Sequence, residues 1–407
     1  MDTEILNVED AVSYEDIITK TEIHSYLPYL SGPYPLSSEI RIAVQNQDIY
    51  TVPCNSFLQF RGTLLKDDGD IPTTTKIVRN GILHMISKIS YELNGIELDQ
   101  TRDVGITCTL KNYLSLTHNQ LPAAKMAGWG IEPDYKLSLY AGGRFEICIP
   151  LAMVLGYAED YKHIIIIAKQ ELVILLANTQ VNALLDTSNQ PENVTLSIHT
   201  IEWLLPHVQV NTAERIRLLK FVEKGTNIDV AFRSWSLETY PNLTQSQNIN
   251  WNVKSSFAAE KPRYIIVAFQ TNKQNDIRAD RSTFNHAKIK NIKVLLNSES
   301  YPYLDMNADF ENGRYLLAYQ MYAQYQQSYY GQLSSPILGP SEFKNIAPLF
   351  VFDVSRQDDR INTGVIDCKI EITAAENMPA NTQAYALIIH DRLATYNVRD
   401  KVVKILV

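Results

Sequence analysis

Residues able to do acid–base or metal chemistry are present throughout this chain, but their spacing speaks against each reaction in turn. The eight histidines stand apart, and no two fall at separations of two, three or four, as ligand pairs on one strand or helix do. His199 and His390 sit at matching places in two similar apolar segments. That position suits a pH-responsive pair, or more plainly two satisfied histidines at strand ends. Asp305-Met-Asn307-Ala-Asp309 opens like a calcium loop, yet Phe310 stands where the loop needs glycine and Leu316 where it needs the closing glutamate. The carboxylate pairs Asp67-Asp68, Glu159-Asp160 and Asp358-Asp359 fall in polar stretches, where solvation accounts for them better than catalysis. Phosphate-binding glycine loops, nucleophile elbows and zinc-protease helices are missing from the sequence. The expectation is a protein that is not an enzyme and needs no metal or cofactor. A site assembled from distant loops is the one catalytic arrangement this pattern leaves open.

The concentrated chemistry is aromatic. Tyr315, Tyr319, Tyr322, Tyr325 and Tyr329 follow at spacings of four, three, three and four, which lays them on one face of a helix predicted over 314–330. Asn312 is its predicted start and Gly331 its C-terminal cap. Such a stripe suits a helix packed on the rim of a sheet with its hydroxyls reaching water. The competing reading is a stacking platform for sugars or a partner.

The elements that must position these residues read mainly as strands. Glu39–Val44 and Phe57–Phe60 alternate, a strand over 82–93 ends at the turn pair Asn94-Gly95, and 105–117 suits a short helix. Residues 118–144, with two prolines and four glycines, form a long excursion. Strands follow over 145–152, 164–176 and 194–204, and a boundary falls near Thr212. Beyond it, Ile249, Trp251 and Val253 alternate with asparagines, and Ile366, Cys368, Ile370 and Ile372 alternate with Asp367, Lys369 and Glu371. This is the pattern of antiparallel sheets with one wet face.

The second half also repeats the first. His84–Asn94 lies over Ala287–Asn297, matching Ile86 to Ile289, Ile89 to Ile292, Leu93 to Leu296 and Asn94 to Asn297. Phe145–Ile149 answers Phe350–Val354, and Leu196–His199 answers Leu387–His390. Order is kept while loop lengths drift.

Composition sets the outer bounds. A chain of 407 residues exceeds one ordinary core and suits two domains of about 200 each. The apolar run Ile164–Ala168 meets Lys169 after five residues, far short of the ~20 a membrane span needs. The start has neither the basic end nor the apolar core of a secretory signal, so cytosolic folding is expected. Cys54, Cys108, Cys148 and Cys368 are widely spaced and read as buried free thiols. A net charge of −8, with six acids and one lysine in the first 20 residues, argues against an electrostatic grip on nucleic acid. That acidic end reads as a mobile or neighbour-docking tail. The apolar Val402–Val407 would be a sticky edge unless paired within its sandwich or with a neighbour.

Assembled, these features resemble the double jelly-roll major capsid proteins of non-enveloped double-stranded DNA viruses and related virus-like elements of eukaryotic genomes. The resemblance covers most of the chain. It is carried by Ile86–Leu98, by Asn297–Tyr303 leading into the tyrosine helix, by Pro348–Ser355 and by Pro379–His390. It implies an all-β chain of two tandem eight-stranded antiparallel jelly-roll sandwiches with short helices in the long loops. An acidic arm (1–30) would precede a first jelly roll (31–212) and a second (213–407). It further implies a homotrimer whose six sandwiches form a pseudo-hexagonal capsomer, neighbouring capsomers and a separate vertex protein as partners, and loops 118–144, 238–258 and 331–347 as towers and contacts. The place implied is the virion capsid, with synthesis in host cytosol and assembly in cytoplasm or nucleus. The interface residues on this reading are Trp129, Tyr325, Tyr329 and Tyr330. The absence of a basic terminal arm departs from the pattern and puts genome contact in doubt. The alternatives are a tandem β-sandwich module binding carbohydrate or another partner, and an enzyme on a β-sandwich or double-cupin scaffold, the clustered His and Glu that cupin metals need being missing.

Overall fold

The computed structural model describes residues 17–44, 50–132, 135, 137–253, 261–297, 299–356 and 366–406. Besides three two-residue strands (Tyr50–Thr51, Lys76–Ile77 and Leu184–Leu185), the first half holds eight strands. These are β1 (Ile18–Tyr26), β2 (Glu39–Val44), β3 (Phe57–Lys66), β4 (Ile86–Leu93), β5 (Ile96–Arg102), β6 (Arg144–Pro150), β7 (Gln170–Leu176) and β8 (Val194–Val210). They pair antiparallel in two sheets of order β1-β8-β3-β6 and β2-β7-β4-β5. The second half supplies β9 (Asn227–Tyr240), β10 (Asn248–Val253), β11 (Pro262–Thr271), β12 (Ile289–Leu296), β13 (Glu299–Tyr301), β14 (Phe350–Asp353), β15 (Cys368–Ala374) and β16 (Thr382–Asn397). Their orders are β9-β16-β11-β14 and β10-β15-β12-β13. Adding eight to each strand of the first half reproduces the second. Each half is thus a jelly roll of two facing four-stranded paths.

The three sequence matches between the halves join equivalent strands: β4 with β12, β6 with β14, and β8 with β16. The alternation has the expected physical origin. In β10 Ile249, Trp251 and Val253 are buried while Asn248, Asn250 and Asn252 face solvent, and Trp251 lies opposite Ile370 of β15. Burial of each such side chain contributes about 1.5–3 kcal/mol.

Several expectations shift. Residues 18–26, expected in the arm, form the edge strand β1, running from Ile18 opposite Val210 to Tyr26 opposite Trp203. The predicted strand over 82–93 begins with a helical turn at Gly81–His84. The apolar run before β7 is a buried connection joined to Thr51 at Ile165, and its burial gave it the composition of a strand. Within the expected loop 238–258 lies all of β10, and within 331–347 the helix Pro340–Asn345. An additional strand, β17 (Val402–Leu406), closes on β16, so the apolar end is paired inside its own sheet.

The helices set between the strands include α1 (Val104–Ser115), α2 (Gly156–Asp160), α3 (Thr212–Glu223) and α4 (Leu316–Tyr330). Among the described residues no strand ladder joins the half before α3 to the half after it. The halves instead trade core residues. Leu110, Tyr113 and Trp129 of the first pack into the core of the second, while Phe232, Tyr396 and Val403 of the second pack into the core of the first. The Lys401 carbonyl also accepts a bond from Asn94 Nδ2 at 3.1 Å.

Candidate functional site

A dense polar cluster lies where α1 meets α4, between the two sandwiches. α1 is buried on every side, polar Thr107, Thr109, Lys111 and Asn112 included. Thr109 turns its hydroxyl back to Gly105 O at 2.6 Å, and Thr107 does the same to Arg102 O at 2.7 Å. The last carbonyls of a helix have no partner within it and must find one elsewhere. Here they find α4: Tyr322 OH donates to Tyr113 O at 3.0 Å, and Gln326 Nε2 donates to Leu114 O at 3.1 Å and Leu116 O at 2.9 Å. Gln326 Oε1 in turn accepts from Ser335 N at 2.7 Å.

Beside this contact the Lys111 side chain is 1% exposed, and its Nζ lies 2.8 and 3.0 Å from the two oxygens of Glu159 on α2. Ser115 Oγ at 2.6 Å and Tyr330 OH at 3.0 Å complete its shell. The rings of Trp235, Tyr329 and Tyr330 surround the ammonium at 4.7, 4.6 and 5.4 Å, a cation–π cage. Glu159 also accepts from Tyr329 OH at 2.8 Å and Tyr330 OH at 2.5 Å. Next to it, Asp160 takes Arg233 in a fork, Nε at 2.7 Å and Nη2 at 2.6 Å, and Arg233 Nη1 reaches Tyr329 O at 2.8 Å. Taking two charges out of water costs several kcal/mol each, and only full hydrogen bonding offsets this. Burial lowers the pKa of Lys111 against the pull of Glu159. For Arg233 burial also opposes the charge, but the bonds to Asp160 win and hold its pKa above the ordinary value. Burial and the Glu159 charge push the Tyr329 and Tyr330 phenols up.

A cleft of about 700 Å³ opens beside this cluster, lined by Lys111, Glu159, Arg233 and Tyr330. Met126 and Leu333, 68% and 92% exposed, belong to its rim. Lys111 and Arg233 are paired with Glu159 and Asp160 where the halves meet, which makes this cluster a joint. Among the described residues no group of three or more His, Cys, Asp or Glu is placed to hold a metal ion.

The expected interface residues lie mostly inside the chain. Trp129 is 0% exposed and meets Tyr113 edge-on at 5.0 Å. Tyr325 and Tyr329 are buried and stacked at 4.9 Å. Most of the surface of these three is taken up by contacts within the chain. Tyr330 alone is partly open. The predicted C-cap holds, with Gly331 at φ 66°, but the helix starts after Tyr315, and Asn312 bonds Asp309 instead. Asp309 also takes Arg314, and Asp305 takes Lys293. Glu159-Asp160, read as a solvated pair, is the anionic half of the joint. Asp67-Asp68 lies in a turn, and Asp358-Asp359 lies outside the described residues. His199 is exposed and bonds Thr63 at 2.9 Å, whereas His390 is buried. Cys54, Cys108 and Cys368 are buried free thiols, and Cys148 is half-buried.

The doubled strand order and the exchange of core residues fit one family, whose description, double jelly roll-like domain, matches residues 75–394. The chain belongs to the double jelly roll family. Its fold is that of viral major capsid proteins. The PBCV-1 VP54 structure fitted into the virophage Sputnik superposes with a TM-score of 0.63 at 11% identity, covering 98% of this chain and 99% of that one. The mavirus major capsid protein gives 0.61 at 10% identity over 99% and 93% of the two chains, and the Faustovirus major capsid protein 0.60 at 9% over 97% and 93%. No curated protein matches by sequence. No helix among the described residues is long and apolar enough to cross a membrane.

Proposed function

We propose that this chain is a major capsid protein that associates as a homotrimer, six sandwiches forming a pseudo-hexagonal capsomer that tiles an icosahedral shell around a DNA genome. One observation carries the reading: two sandwiches of identical strand order are locked side by side by a buried joint. A fixed pair of equivalent units is what three copies need to make a near-sixfold ring, and closed rings suit repeated contacts. The division is 31–212 and 213–407, with β1 added to the first sandwich and α3 as the link. Neighbouring capsomers and a separate vertex protein are the partners, and Tyr330 at the cleft is a contact candidate. A net charge of −8 goes with no direct sequence-specific grip on nucleic acid. The place of action is the virion capsid, with synthesis in host cytosol and assembly in cytoplasm or nucleus. The carbohydrate-binding alternative loses its platform, because the central tyrosines of the stripe are internal.

The test is light scattering on a sizing column with negative-stain imaging of the eluate. The expected result is a species of three times 46.3 kDa or hollow shells with hexagonal units. A monomer at every concentration and salt would overturn the proposal.

A further inference from the structure

The joint inside the chain has an open counterpart. In the joint, β9 of the second sandwich lies on β5, α1 and α2 of the first: Ser234 Oγ donates to Asp99 Oδ1 of β5 at 2.6 Å, the Lys111 ammonium of α1 lies 4.7 Å from the Trp235 ring, and Phe232 meets Tyr157 of α2 edge-on at 5.6 Å. In the doubled strand order β9 answers β1 and β5 answers β13, and α1, the first helix after β5, answers α4, the first helix after β13. These members of the joint therefore have equivalents on the opposite sandwich.

The equivalents face solvent. Carrying the match of Leu196–His199 with Leu387–His390 along β8 and β16 sets Tyr26, opposite Trp203, in the place of Val230, opposite Ala394. The stretch after Tyr26 thus stands where Phe232–Trp235 make the joint. There Leu27 and Tyr29 are 62% and 68% exposed and Leu30 is exposed as well, on a backbone held by Tyr29 N donating to Arg41 O at 3.3 Å and Tyr34 N to Ile198 O at 3.0 Å. On the second sandwich a pocket of about 440 Å³ lies among Tyr301 of β13, Met321 and Gln324 of α4, and Phe352 and Asp353 of β14. The open face of α4 runs through Leu317, Gln320, Gln324 and Gln327, and the whole helix, Leu316–Tyr330, holds no Asp, Glu, Lys or Arg. A helix face turned to water ordinarily carries charge, and depletion of charge is the mark of an interface core.

We infer that Leu27, Tyr29 and Leu30 of one chain seat in the pocket between α4, β13 and β14 of the next copy, a head-to-tail contact that repeats between chains the joint found within one. The inference rests on the homotrimer proposed above and assigns its contact surfaces. The step from one sandwich to the next is then the same within and between chains, and six such steps close on three chains.

Sizing of full-length variants tests the contact. Y29D with L30D, and separately Q324R with Q327R, alter exposed side chains, so the unfolding midpoint should stay at the parent value while the concentration at which the trimer half-dissociates rises roughly thirtyfold. Cross-linking with a short bismaleimide reads the polarity. The double variant L30C/Q324C is expected to give covalent trimers on a denaturing gel. L30C chains mixed with Q324C chains are expected to give dimers and nothing larger, and either variant alone the pattern of the parent. A parent trimer untouched by both charged pairs, or L30C chains joined to each other through that residue, would overturn this contact and leave the trimer standing. A parent that is monomeric throughout would remove the trimer and the contact together.

Discussion

Two of the connections between the sandwiches are built in opposite ways. The joint of α1, α2 and α4 is largely buried, holds its two ion pairs in hydrogen-bond shells, and ties residues more than two hundred positions apart, as Tyr322 does to Tyr113. The covalent link, α3, has no buried residue. The contrast shows that the relative placement of the halves is fixed by side-chain chemistry at a distance and not by the peptide that connects them. It also accounts for the tyrosine stripe: its central members satisfy helix ends and charges across the joint.

The comparison breaks first at Lys111. Lys111→Ala leaves the half-buried Glu159 without its cation and is expected to cost about 3 kcal/mol in urea unfolding. The double variant K111M/E159Q is expected to recover a large part of that. A loss under about 1 kcal/mol for the single variant would show that the joint is not what holds the halves. Gln326→Leu comes next. It leaves the Leu114 and Leu116 carbonyls unsatisfied, and about 2 kcal/mol should be lost, read as a lower unfolding midpoint with little change in slope. The smallest effect is expected on the link side, near the root of α3. There His207 of β8 stacks on His24 of β1 at 4.2 Å and meets Tyr26 OH at 2.9 Å. Burial, then the His24 charge, pushes its pKa down to about 4. The folded chain therefore binds fewer protons than the unfolded one between about 6.5 and 4, so stability is complete above pH 6.5 and falls as pH drops through that window. Asp99, whose pKa burial raises, acts in the opposite sense, so the measurement is a difference. His207→Gln should lose less stability than the parent between pH 7 and 4.5. Equal losses would remove His207 from the account.

Legibility in the sequence followed the range of the interactions. β10 and β15 were plain because alternation is local, and the duplication was plain because equivalent strands keep the same apolar spacing. α3 was missed although Asn211 and Glu214 form a helix-start signature, since no apolar stripe reaches a core there. The stripe on α4 was read correctly as a helix face, while its burial depended on α1, which no local pattern links to it. Lys111, Glu159 and Arg233 are separated by 48 residues and more, and their neighbours in the chain carry no sign of the pairing. A buried charge looks like any surface charge until its partner is known.

β17 adds a consequence for synthesis. Val403 belongs to the core of the first sandwich, although it is translated long after every strand of that sandwich. The first half therefore gains this last core contact only after the far end of the second half has been made and closed on β16. A chain released early would carry an unfinished first unit as well as a missing strand, so a prematurely terminated product is marked at both ends and is poorly suited to enter an ordered array.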